Sequence, residues 1–271
     1  SDTTIAAVRT QGCEMKDKFR MNFWIVLPAA VLTFVILILI TPGGDTLGEV
    51  GEYNILQVIP YLVVLFGAIA GVNVFVILII GTAMALGVGI YTGMFPWTDS
   101  FLVLFDGISA MYDITVISMV VAFIGALVKD AGGIAALIDL IHSRIRTKKG
   151  AQLGISALVV GVDIATANNT IAIVMSGPIA KEISQEFGID PRRSASLLDI
   201  FASAMQGILP YGAQLLYAVG GAAAMGYTIS SVRIIPYLFY PFLMAISALV
   251  FILFVGDKGS KRQVTETAPQ A

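Results

Sequence analysis

Asp163 sits in GVDIATANNTIAIVMSGPIA (161–180), an apolar stretch long enough to cross a bilayer. It shares that stretch with a polar knot, Thr166, Ala167, Asn168, Asn169 and Thr170. An acid and two adjacent amides are expensive inside a membrane, so they are functional candidates by default. The side-chain oxygens of Thr166, Asn168, Asn169 and Thr170, with carbonyls freed at a helix break, form an oxygen-rich cage of the kind a hard cation prefers. Asn and Thr also cap helix ends. Capping accounts well for one Asn, and less well for five clustered residues.

A second polar pattern precedes Pro210. Ser196, Asp199, Ser203 and Gln206 fall at offsets of 3, 4 and 3, on one helical face. The stripe ends where Pro210, flanked by Gly207 and Gly212, marks a break. This is the pattern of a permeation-path wall. A helix contact glued by small and polar residues would account for Ser196 and Ser203, but not for the acid. A buried carboxylate favours holding a proton, and a nearby sodium ion favours its charged form. A site that holds either cation, but not both, couples the two fluxes in opposite directions. Asp163 and Asp199 are the switchable charges in this reading, with Asn168, Asn169 and Asp199 as sodium ligands.

These residues need helices of particular kinds to hold them. Segment 22–40 reads as a span with Trp24 at the headgroup level and Pro28 as a kink. The run 55–92 divides at Gly71-Val72-Asn73 into a tight pair of helices, and 113–129 is a fourth span. Segment 134–150 is amphipathic and predicts an interfacial helix. The run 196–228 is a broken span, and 234–255 is the last. Lys and Arg collect at 9–20, 144–149, 181–193 and 258–262, whereas 41–54 and 92–100 have none. With the basic groups on the cytoplasmic side, 153–180 must start and end on that side. It therefore reads as a re-entrant hairpin with its tip at 166–170. About 14 residues per arm give roughly 21 Å of helix, which reaches mid-membrane.

Composition narrows the function. The chain has 271 residues, 57% hydrophobic and 13% charged, the balance of a polytopic membrane protein with no soluble domain beside it. A net charge of −2 gives no footprint for nucleic acid. One cysteine, Cys13, excludes an intrachain disulfide framework and a Cys-based zinc site. One histidine, His142, leaves no His-rich metal site, and no HExxH or GxSxG occurs. The fold expected is all-α, with about six membrane helices, a re-entrant hairpin and an interrupted helix. It forms one transporter domain over 1–271, with 258–271 a polar tail.

Other acids carry less. Asp113 reads as an N-cap, Asp106 as solvated, and Lys129-Asp130 as an interfacial stop. His142 falls on the polar face of the interfacial helix.

The stretches DIATANNTIAIVMSGPIAKEI, LLDIFASAMQGILPYGAQLL and LQVIPYLVVLFGAIAGVNVFV resemble the C-terminal half of NhaC-type sodium/proton antiporters. Those belong to the ion-transporter superfamily of two inverted repeats. The opening SDTT resembles the end of that family's Gly-Asp-x-x-Ser-Pro-x-Ser-Asp-Thr-Thr motif, as though cut from a longer chain. The resemblance implies that Asn168, Asn169 and Thr170 are cation or substrate ligands. It also implies that Ser1, Asp2, Thr3 and Thr4 belong to the first repeat's site, and that transport needs the upstream half of the parent.

The function expected is sodium/proton exchange across the cytoplasmic membrane, with no cofactor and no enzymatic activity. Sodium, protons and the lipid bilayer are the expected partners, and a second copy of the chain is a candidate one. Sodium- and proton-coupled exchange of small carboxylates such as malate and lactate is the close variant. No basic residue in the core obviously awaits a carboxylate, which favours plain cations. A passive channel would need a continuous polar pore, and a non-transporting scaffold would need no buried acids.

Overall fold

In this computed structural model the residues described are 2–41, 54–70, 72–110 and 112–257. Ser1, most of the 41–54 loop, Gly71 and the 258–271 tail lie outside them, as do the side chains of Asp2, Asp113 and His142. The order is α1 (Asp2–Gln11), α2 (Met15–Ile40), α3 (Ile59–Ile69), α4 (Val74–Tyr91) and α5 (Ser100–Ala110). There follow α6 (Tyr112–Asp130), α7 (Gly133–Arg144), α8 (Lys148–Thr166), α9 (Asn169–Glu186) and α10 (Pro191–Ile208). The chain closes with α11 (Ala213–Ala224), α12 (Ser231–Ile234) and α13 (Phe239–Phe254). No strand occurs among the described residues, so the chain is all-α as its sequence predicts.

The chain forms two compact units, 41–112 and the remainder. In the smaller unit α3 packs along α4. Asn73 caps α4 by accepting from the Phe75 amide at 3.0 Å. This is the helix pair expected from 55–92.

The larger unit holds the candidate site. Its core is α8, α9 and α10 packed on one another, with α1 against α9 and α10, and α13 against α2 and α10. Ile155, Leu158, Ile173, Leu197 and Ala202 are fully buried there. Two glycines let backbones approach. A Cβ on Gly177 would meet Thr10 Cβ at 2.5 Å, and one on Gly125 would meet the Ala165 carbonyl at 2.9 Å. The first seats α1 on α9, and the second brings α6 to the end of α8.

Helix ends follow local chemistry. Thr147 starts α8 by accepting from the Gly150 amide at 3.0 Å. Asp190 caps α10 ahead of Pro191, whose missing N–H costs nothing at a first helical position. α10 stops at Ile208, because Leu209 precedes Pro210 and is driven to extended backbone.

Several expectations are corrected. The polar N-terminal segment forms a helix that the sequence reading does not assign: α1 lies in the core, with Ala7 wholly buried. Both hairpin arms are longer than expected, 19 residues in α8 and 18 in α9, roughly 28 and 27 Å. The amphipathic helix ends at Arg144, and the residues up to 150 turn into α8. The last segment is bent by 54° between 231–237 and α13.

Among the described residues α2 alone is, as a single helix, long and apolar enough to cross a membrane, and the bent α12–α13 segment is a second if counted as one span. Phe19, Trp24, Phe34 and Leu39 on α2 are exposed, as suits a lipid-facing helix.

Candidate functional site

The hairpin tip is built as a double cap. Ala167 ends α8 in the left-handed conformation, with φ 46°, and its amide donates to the Asp163 carbonyl at 2.7 Å. It is the one non-glycine with positive φ among the described residues, and a side chain there costs about 1–2 kcal/mol. Asn168 starts α9: its Oδ1 accepts from the Ile171 amide at 3.0 Å. The Thr166 hydroxyl donates to the Val162 carbonyl at 2.8 Å. Capping thus occupies part of the polar knot, including the Asn168 oxygen.

The tip borders a cavity of about 310 Å³. Thr166, Ala167 and Asn168 line it, with Gly125 and Lys129 of α6 and with Tyr211 from the break after α10. Gln206 and Tyr211 tie the break to the tip. Gln206 Nε2 donates to the Ala167 carbonyl at 3.0 Å and to Gln214 Oε1 at 3.0 Å. The Tyr211 hydroxyl donates to the Ile164 carbonyl at 2.8 Å. Pro210 and Gly212 lie in the turn between α10 and α11, and Gly212 leads into α11 without a capping side chain.

Asp163 lies one turn before the tip and is 0% exposed. Neither of its carboxylate oxygens has a hydrogen-bond partner. An unpaired buried charge is among the costliest features a fold can carry.

Asp199 is built differently. It is also buried, but Lys18 Nζ of α2 pairs with its Oδ2. The Thr4 hydroxyl of α1 reaches the same oxygen at 3.1 Å, and Lys18 Nζ reaches Thr4 Oγ1 at 3.2 Å. The three side chains line a second cavity, of about 520 Å³, with Asn22, Ser203 and Tyr240. Lys18 is 1% exposed. This corrects two expectations: Lys18 is not a solvated cytoplasmic charge, and the core does contain a basic residue.

The sequence-predicted residues therefore divide. Thr166 and Asn168 line one cavity, Asp199 and Ser203 the other, and the two linings share no residue. Neither of these two cavities holds Asn168 and Asp199 together. Gln206 serves the tip, Asn169 and Thr170 form the first turn of α9, and Ser196 is buried with its hydroxyl unpaired. Thr3 is buried near the start of α1. No cluster of three His, Cys, Asp or Glu fit for a metal occurs among the described residues.

Lys18, Tyr211, Gln214 and Lys129 join these surroundings without a motif of their own in the sequence. For Lys18 a signal existed, because it shares a helical face with Ile25 and Ala29, the other buried residues of α2.

A rim of ion pairs closes one end of the unit. Arg192 Nη2 meets Asp190 Oδ2 at 2.6 Å, and Lys148 Nζ meets Asp257 Oδ2 at 3.1 Å. Arg193 Nε donates to Gln152 at 2.6 Å, and its guanidinium lies 4.4 Å from the Phe251 ring centre. Burial works to raise the Asp190 pKa, but hydrogen bonds and charge from Arg192 outweigh it and hold the acid below its ordinary 3.8.

Two interrupted helical segments, buried acids at each and a buried lysine facing one of them are parts suited to moving ions, not to covalent chemistry. No curated protein and no solved structure matches the chain. The family model of the Na+/H+ antiporter family matches residues 50–256, which takes in the hairpin, the broken helix and both acids. That is a family of membrane transporters rather than enzymes, and the chain belongs to it.

Proposed function

We propose that the chain forms the ion-exchanging part of a secondary transporter that moves sodium ions against protons. The observation that carries this reading is the buried Lys18–Asp199 pair, joined by Thr4 and open to a cavity. A sodium ion entering that cavity competes with Lys18 for the Asp199 carboxylate. When sodium takes the carboxylate, the Lys18 ammonium loses its partner. An unpaired ammonium at that depth is costly, so Lys18 gives up one proton as one sodium binds. The charge at the site is the same before and after, and the proton leaves by the side from which sodium came. Six membrane crossings, location in the cytoplasmic membrane and dependence on an upstream half complete the proposal.

The test is sodium-driven proton movement in sealed proteoliposomes, using the intact protein beside its Asp199→Asn form. Collapse of a preset pH gradient on adding sodium, absent in the variant, is the expected result. Equal collapse in both would remove Asp199 from the exchange.

Lys129 favours a second reading. It lines the tip cavity beside Thr166 and Asn168, a set of donors that suits a carboxylate. If the proteoliposomes answer sodium only when malate or lactate is present, the organic acid is the solute.

A further inference from the structure

A groove at the basic end of the larger unit, sharing no lining residue with either cavity above, has the chemistry of a lipid site. It measures about 450 Å³ and is lined by Asp17, Arg20, Met21, Trp24, Arg192 and Phe251. Four of these lie on one face of α2, Arg192 is in the first turn of α10, and Phe251 is in the last turn of α13. Arg20 and Arg192 face Asp17, and Asp190 holds Arg192 from beside the groove, so the cation left without a close acid is Arg20. Arg192 commits Nε and Nη2 to Asp190, at 3.0 and 2.6 Å, which leaves Nη1 facing Asp17 at 3.9 Å, the outer limit of an ion pair. Arg20 is exposed and has no ion-pair partner among the described residues.

The order of side chains decides what fits. The arginines form the rim, Trp24 is one helical turn further along α2 and 65% exposed, and Met21 and Phe251 supply apolar walls. Indole side chains favour the headgroup level, and basic pockets between helices at a membrane surface attract anionic headgroups. A free phosphate would use the arginines and leave the apolar walls unused. A phospholipid uses both.

We propose that this groove binds the headgroup of one anionic phospholipid, its phosphate between Arg20 and Arg192 and its glycerol and upper acyl chains along Trp24, Met21 and Phe251. The site also has a mechanical consequence. Asp17–Arg192 and Lys18–Asp199 are successive rungs between the same two helices, α2 and α10. A headgroup on Arg192 acts on the rung beside the exchange pair. That effect on exchange rests on the function proposed above, whereas the binding site does not.

Fluorescence of Trp24 tests the binding directly. Trp97→Phe leaves Trp24 as the only indole of this 271-residue chain, which has 2 tryptophans, and any tryptophan outside it is replaced likewise. The intact protein is placed in phosphatidylcholine vesicles containing either brominated phosphatidylglycerol or brominated phosphatidylcholine. The glycerol lipid is expected to associate beside Trp24 about five-fold more strongly or better, and Arg20→Gln to lower that preference by about five-fold, the worth of one basic residue near a membrane surface. Arg20→Lys is expected to keep most of it. Equal quenching by the two lipids, or a preference that survives Arg20→Gln, overturns the proposal. So does a preference abolished by soluble glycerol phosphate, which would assign the groove to a small anion. Transport that responds to neither lipid while the quenching preference holds would overturn only the mechanical consequence.

Discussion

Asp163 and Asp199 sit on helices that pack against each other, and both are buried. Their surroundings are opposite. Asp199 has an ammonium, a hydroxyl and a cavity. Asp163 has no partner for either oxygen. A carboxylate with a cation beside it can stay charged and trade one cation for another. A carboxylate with nothing beside it is tolerable chiefly as the neutral acid. Under the proposed function the partner exchange falls to Asp199, whereas Asp163 is a buried acid with no hydrogen-bond partner.

The comparison can be broken at several points. The largest effect belongs to Lys18→Met, which strands Asp199. Loss of about 3–5 kcal/mol is expected, read by denaturant unfolding in detergent. Adding Asp199→Leu to that variant should recover most of it, because the uncompensated charge is gone. A double variant as weak as Lys18→Met alone would mean that packing, and not charge, holds the pair together.

Asp163→Leu supplies the contrast. No hydrogen bond is lost, so stability is expected to stay within about 1 kcal/mol of the parent or to rise. Destabilisation as large as that of Lys18→Met would show that Asp163 has a partner after all.

The rim offers a third acid to sharpen the picture. Asp190 has its pKa held below 3.8 in the folded chain by Arg192, against the push of burial. A depressed carboxylate contributes stability above its unfolded pKa, and that stability is lost as pH falls through the folded value. Asp190→Ser keeps a helix cap but loses the arginine bridge. It should therefore flatten the acid limb of the stability profile below about pH 4. An unchanged acid limb would show that the bridge contributes nothing.

The smallest effect is at the tip. Ala167→Gly relieves the left-handed backbone and should stabilise by about 1 kcal/mol, seen as a small rise in melting temperature. A fall would mean that the methyl group packs usefully in the tip cavity.

The hairpin and the broken helix were legible because their signals are local. Clustered Asn and Thr cap helix ends, and Leu209-Pro210 cannot continue a helix. The polar stripe on α10 was legible through its period, but its partners were not. Thr4 and Lys18 meet Asp199 from far away in the chain, and no short-range pattern records that pairing. The charge of Lys18 grouped it with its solvated neighbours Lys16 and Arg20. Only its register with Ile25 and Ala29 pointed inward. The N-terminal helix was obscured in the same way, since Asp2 and Arg9 make a core helix look like surface.

The most direct test of the exchange between Lys18, Asp199 and sodium is proton release on sodium binding. The intact protein in weakly buffered detergent, with a pH-sensitive dye, is mixed with sodium chloride, and choline chloride serves as the control. The account predicts about one proton released per sodium bound, with Asp199→Asn neither binding sodium nor releasing a proton. Release undiminished in Asp199→Asn would contradict it, because the proton would then come from elsewhere.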